Sequence, residues 1–139
     1  MLFGAEHVQR YRETDGREGH DWQGTTVLIL TTTGRRSGEP RSTPLIYRPI
    51  GEQAYAIAAS NGGGDPPRWY LNLVDRPEAV VQVRDDEFPA RAREANATDR
   101  PALWDELVAT WPAYADYQAK ADREIPVILL ERDIADAVD

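Results

Sequence analysis

Eight residues, Gly34 to Arg41, hold three arginines, two glycines and a serine. Guanidinium groups grip phosphate or carboxylate through paired N–H bonds. Glycines allow backbone angles that other residues avoid, and amides exposed at such a bend add further donors. Gly34, Arg35, Arg36, Ser37, Gly38 and Arg41 therefore read as a cradle for an anionic ligand, and equally as a solvated turn between two strands. The remaining side chains are poor in reactive groups. The chain has no cysteine, which excludes disulfides, thiolate catalysis and cysteine metal sites. His7 and His20 stand near the start with no partner pattern, so neither a metal site nor a histidine-based hydrolase is expected. Asp85 and Asp86 share a turn, where a solvated role is the ordinary one. If this chain is an enzyme, a bound organic cofactor has to supply the chemistry and the protein has to position it. A non-catalytic binding module would use the same residues.

Charge narrows the ligand. Sixteen basic and 24 acidic residues give a net charge of −8. Nucleic acid is not an expected partner of such a surface. A basic loop on an acidic protein points instead to a small anionic molecule. The 139 residues suit one domain, 1–139, and no repeat or linker divides them. No stretch has the length and apolar character of a membrane span, and no signal-peptide pattern is read at the start. The expected compartment is the cytoplasm. A peripheral seat at the membrane is the alternative, though no basic amphipathic helix supports it.

The elements that must position these residues follow from patterning. Ala5 to Arg12 is expected as a short helix, and Arg17 to Gly24 as a loop in which Trp22 plugs the core or forms a flap over a ligand. Thr25 to Thr33 is β-branched and short, a buried strand. Arg41 to Arg48 is the second strand, confined by Pro44 to an edge or a bulge, with a turn over Pro49 to Glu52. Gln53 to Ser60 is a third strand, whose small residues let a helix or a flat ring approach. Asn61 to Pro67 is a loop and Arg68 to Val74 a short helix with a prolyl start. Ala79 to Val83 and Glu87 to Glu94 form a hairpin. Thr98 is expected to cap the next helix, whose buried stripe is Leu103, Trp104, Leu107 and Val108. Pro112 breaks it, and Ala113 to Ala121 is a second helix. Pro126 to Glu131 is the last strand, and 132–139 is expected to fray. Strands outnumber helices, so the fold class is mainly β with helices (α+β), an antiparallel barrel with helices at its mouth and side.

Four blocks, TTTGRRSGEPRSTPL, AASNGGGDPPRWYLNL, VVQVRDDEFPARARE and AYADYQAKADREIPV, occur in an order and spacing that resemble the deazaflavin-dependent nitroreductase family of actinobacteria. The resemblance implies a split β-barrel of the flavin-reductase, FMN-binding type. It implies reduced coenzyme F420, an 8-hydroxy-5-deazaflavin with a phosphate and a poly-glutamate tail, as hydride donor. An electron-poor quinone or nitroaromatic compound is the implied acceptor, and a homodimer is compatible with such barrels. On the same grounds Gly34, Arg35, Arg36, Ser37, Gly38 and Arg41 would contact phosphate and tail. Pro44, Leu45 and the backbone of Ala58, Ala59 and Ser60 would border the ring, with Asn61, Gly62 and Gly63 completing the wall and Trp69 and Asn72 behind it. Tyr114 and Tyr117 would line the acceptor side, and Ser60 could donate to the same acceptor oxygen. Three positions depart from the family's habit: Asn61 and Arg36 stand where lysine is usual, and Trp111 where tyrosine is. An FMN-dependent reductase of the same fold and a non-catalytic F420 carrier are the competing readings.

Overall fold

The computed structural model describes residues 2–133, so the tail expected to fray lies outside the described residues from 134 onward. Helix α1 (Gly4–Glu13) comes first, then the short strand β1 (Asp21–Trp22), β2 (Thr25–Thr33), β3 (Pro40–Ile46), β4 (Arg48–Ile50) and β5 (Ala54–Ala58). A 3₁₀ turn (Asn61–Gly63) leads to α2 (Arg68–Asp75), and the hairpin β6 (Glu78–Val83) and β7 (Asp86–Glu94) follows. Helices α3 (Arg100–Thr110) and α4 (Ala113–Lys120) precede the last strand, β8 (Val127–Arg132).

All strand pairings are antiparallel, in the order β1-β2-β6-β7-β8-β5-β4 with β3 also on β2. β3, on β2, and β4, on β5 at the far side of the sheet, are one piece of chain. Ile46 pairs with Val27 of β2, and two residues later Arg48 pairs with Ala56 of β5. At the bend between them the amide of Tyr47 donates to the Thr26 carbonyl at 3.2 Å. The sheet therefore curls until a single bent segment borders both of its sides, which is the split barrel.

The strands are apolar on both faces for a physical reason. Leu28 and Leu30 point inward, with Ile57, Val81, Phe88, Ile128 and Leu130. Val27 and Ile29, the alternating neighbours, pack outward under Val8 and Tyr11 of α1. Ala56, Ala58, Val127 and Leu129 face Leu103, Leu107 and Tyr114 of α3 and α4. A strand covered on two sides has no face to give to water, so its pattern runs nearly unbroken.

The structure corrects three expectations. β3 ends at Ile46, and Pro49 lies inside β4 rather than in a turn. Its missing donor costs nothing there, because β4 pairs on one side only. Pro44 likewise sits in a strand with one partner. Thr98 is not the helix cap: Asn96 Oδ1 accepts from the amides of Thr98 and Asp99 at 3.0 and 2.8 Å, and α3 begins at Arg100. The stretch expected as a plain loop, Arg17 to Gly24, contains β1.

Candidate functional site

A cavity of about 580 Å³ opens where the edge strand β3 meets the ends of three helices. Thr43, Pro44, Leu45 and Ile46 of β3 and Ala58 of β5 form one wall. Ser60 and Asn61 continue it, and Pro67, Arg68 and Trp69 enter at the start of α2. Trp111, Tyr114 and Tyr117 come from the α3–α4 corner, while Phe3, Gly4, His7, Trp22 and Val27 close the N-terminal side. That side is held by two hydrogen bonds. His7 Nε2 donates to the Gly19 carbonyl at 2.8 Å, and the Trp22 indole donates to the Leu2 carbonyl at 2.9 Å. The Trp22 and Trp111 rings then meet at 5.9 Å, joining the N-terminal segment to the helical corner.

Tyr114 and Tyr117 lie one helical turn apart on α4, with ring centroids 6.1 Å apart at 70°. Tyr114 is buried, and that burial, reinforced by Tyr117, pushes its phenol far above the usual tyrosine range. It is held as a neutral hydroxyl. Tyr117 is half-buried and more accessible from the cavity.

The loop after β5 is fixed by Arg123. Its Nη2 donates to the carbonyls of Ala59, Ser60 and Gly64 at 3.1, 3.3 and 3.0 Å, and its Nε donates to Gly64 at 3.2 Å. Within that loop Asn61, Gly62 and Gly63 all have positive φ, at 44°, 63° and 90°. The glycine at 63 is also required sterically, since a Cβ there would stand 2.7 Å from the Tyr117 carbonyl. Loop and α4 are thus in backbone contact. The Asn61 side chain is turned to the loop itself, Nδ2 donating to the Asp65 carbonyl at 2.8 Å.

The arginine loop stands outside the cavity wall. Most of its amides are engaged locally: Gly34 donates to the Glu39 carbonyl, Gly38 to the Gly34 carbonyl and Glu39 to Ser37 Oγ. Asn72, buried in α2, accepts the Arg35 amide at 3.0 Å and donates to Thr32 Oγ1 at 3.0 Å. The expected cradle of free amides is therefore largely used up in shaping the turn. What the loop offers outward is guanidinium groups. Arg35 and Arg36 are exposed with no ion pair among the described residues, and Arg41 is 3.6 Å from Glu39.

Of the residues singled out from sequence, Pro44, Leu45, Ala58, Ser60, Asn61, Trp69, Tyr114 and Tyr117 share this one cavity. Ala59 is wholly buried beside it, while Gly62, Gly63 and Asn72 shape it without lining it. His7, Phe3, Arg68 and Trp111 line it as well. Trp111 was expected at the acceptor pocket from its place at the head of the tyrosine-rich block, whereas the sequence alone gave Phe3, His7 and Arg68 no place on this wall. No local pattern marks His7 or Phe3, because only the fold of α1 over β2 and β3 brings them there.

The lining suits a flat, anionic cofactor. Small Ala58 and the Pro44–Leu45 edge leave space for a ring, and among the described residues no lining residue is acidic although the chain has 24 acids. The arginine loop leads into the same strand just ahead of Thr43, outside the cavity. Residues 4–132 match the family described as F420H(2)-dependent quinone reductase. The chain is 39% identical over 133 residues to F420H(2)-dependent quinone reductase Rv1261c of Mycobacterium tuberculosis, covering 91% of this chain and 87% of that protein. A solved F420-H2 dependent reductase, FDR-A, is 41% identical with a TM-score of 0.68, over 76% of this chain and 93% of that one. A second solved chain, described as a domain-swapped dimer, is 37% identical with a TM-score of 0.73, over 91% and 95%. Among the described residues no helix is long and apolar enough to cross a membrane. Fold, lining and likeness agree, and the chain belongs to the F420H(2)-dependent quinone reductase family, as a split-barrel reductase that uses coenzyme F420.

Proposed function

We propose that this protein passes a hydride from reduced F420 to a quinone held in the same cavity, with nitroaromatic compounds as further acceptors. The bound deazaflavin supplies the hydride. The protein's part is to hold donor and acceptor face to face, which converts a chance encounter into a positioned one. In this reading Pro44, Leu45 and Ala58 carry the ring, and Ser60 and the Ala59 backbone fix its edge. Tyr117 donates a hydrogen bond to the acceptor oxygen as negative charge builds there, and Tyr114 orients Tyr117. Arg35, Arg36 and Arg41 hold the glutamate tail. Trp22 and Trp111 cover the acceptor and exclude water.

One observation carries the reading: a largely apolar cavity, with no acid among its described lining residues, unites the β3 edge, the Ser60 loop and the tyrosines of α4. The test is a fluorescence titration with F420, followed by turnover of the reduced coenzyme with menadione. Saturable binding and quinone-dependent reoxidation are expected; absence of saturable binding would end the proposal. The likeness to a domain-swapped dimer supports pairing of two copies, which sedimentation would check.

A further inference from the structure

Arg123 is held at both ends. Its carbonyl accepts from Gln118 Nε2 at 2.8 Å, and Gln118 Oε1 accepts the Ile125 amide at 2.8 Å. Gln118 follows Tyr117 on α4, so the backbone of Arg123 is tied to the helix that carries the tyrosines. The side chain reaches the other way. Its Nη2 alone meets the carbonyls of Ala59, Ser60 and Gly64, at 3.3 Å or less. Three carbonyl oxygens gathered round one point repel one another unless a cation sits between them. Among the described residues only the Ser60 carbonyl has a main-chain donor as well, the Gly63 amide at 2.8 Å. Arg123 also has no ion pair among the described residues, and its Nη1 is buried without a partner. A buried N–H left unpaired costs stability, so stability alone does not account for this placement. The loop that Arg123 gathers carries Ser60 and Asn61 on the cavity wall, and its Gly63 lies against the Tyr117 backbone.

We infer that Arg123 is a positioning residue for hydride transfer: from its base on α4 it draws in the Ser60 loop and so fixes the spacing between ring and acceptor. The inference rests on the F420 reading proposed above. Arg123 is not on the cavity lining, so it acts through the loop and through α4 rather than on either ligand. A misplacement of about 1 Å between reacting groups costs on the order of a hundredfold in rate. Such a residue governs kcat, while affinity for the coenzyme rests on surfaces that Arg123 does not touch.

The test compares wild type, Arg123→Ala and Arg123→Lys by fluorescence titration with F420 and by turnover of reduced F420 with menadione. Arg123→Ala should lower kcat roughly 100-fold and leave the quinone KM and the F420 Kd within about threefold. Guanidinium chloride at millimolar concentration should then raise kcat at least about tenfold, because the free ion fits the space left by the side chain and meets the same carbonyls. Urea, similar in shape but uncharged, should raise it by no more than about twofold. A variant that is merely unstable would show the reverse, since guanidinium denatures. Arg123→Lys keeps the charge on a shorter stem, so its kcat should fall between the other two with F420 affinity unchanged. A kcat for Arg123→Ala within about twofold of wild type, or a loss that guanidinium does not relieve, overturns the assignment and leaves the F420 reading standing. Where Arg123→Ala does not fold, Arg123→Lys decides: a wild-type kcat overturns the assignment, and a lowered kcat at unchanged F420 affinity supports it. Failure of wild type to reoxidise reduced F420 with the quinone overturns both.

Discussion

At the scale of single residues, Tyr114 and Tyr117 differ in what they can do. Tyr114 is buried and its phenol is pushed up by desolvation, so it stays protonated across any ordinary working pH. Tyr117 is open to the cavity and free to meet an acceptor. Tyr117→Phe should therefore lower kcat by about 10- to 100-fold, the range for losing one donor to developing charge. F420 affinity should change little, because the ring rests on β3 and β5 in the proposed arrangement. Steady-state kinetics and a fluorescence titration on one preparation check both halves. The sequence made the tyrosines visible through helical spacing. It hid His7, because a lone histidine on a polar helix carries no mark of the wall it will join.

At the scale of elements, the loop after β5 and helix α4 act as one piece. Arg123 ties three loop carbonyls, and Gly63 touches the backbone of Tyr117. Gly62 and Gly63 are adjacent and both have positive φ, but only Gly63 is crowded; a Cβ on Gly62 would meet nothing within 4 Å. Gly62→Ala should cost only left-handed strain, about 1 kcal/mol, with kcat close to wild type. Gly63→Ala adds displacement of α4, and kcat should fall at least tenfold further. Thermal midpoints and kinetics of the two variants separate strain from displacement. Strands with dense β-branched residues were readable from sequence, and Thr25–Thr33 has the expected bounds. The bend at Tyr47 was not, since Pro49 and Gly51 look like a turn until β5 is present to pair with β4. The helix cap was missed for a similar reason: Asn96 reaches past Thr98, and spacing alone favours the nearer hydroxyl.

At the scale of the whole molecule, α1 is fastened to the barrel by a buried phenol. Tyr11 is fully buried, and its hydroxyl accepts the Arg84 amide at 2.8 Å. Burial raises its pKa from 10.0 to about 12. Below pH 10 both folded and unfolded chains keep this proton, and its contribution to stability is constant. Between pH 10 and 12 the unfolded chain releases the proton first, so stability falls as pH rises. Urea midpoints should drop across that window, and less steeply in Tyr11→Phe, although that variant starts lower for want of the Arg84 bond. The class of fold was legible from turn spacing and strand count, but closure was not, because pairing β2 with β6 and β5 with β8 is decided by distant segments. The Trp22 indole bond to the Leu2 carbonyl has a practical corollary. In the arrangement proposed above, anything fused ahead of Leu2 is delivered to the mouth of the cavity that would receive the acceptor. A bulky purification handle there should raise the quinone KM, and cutting it off should bring the value back down.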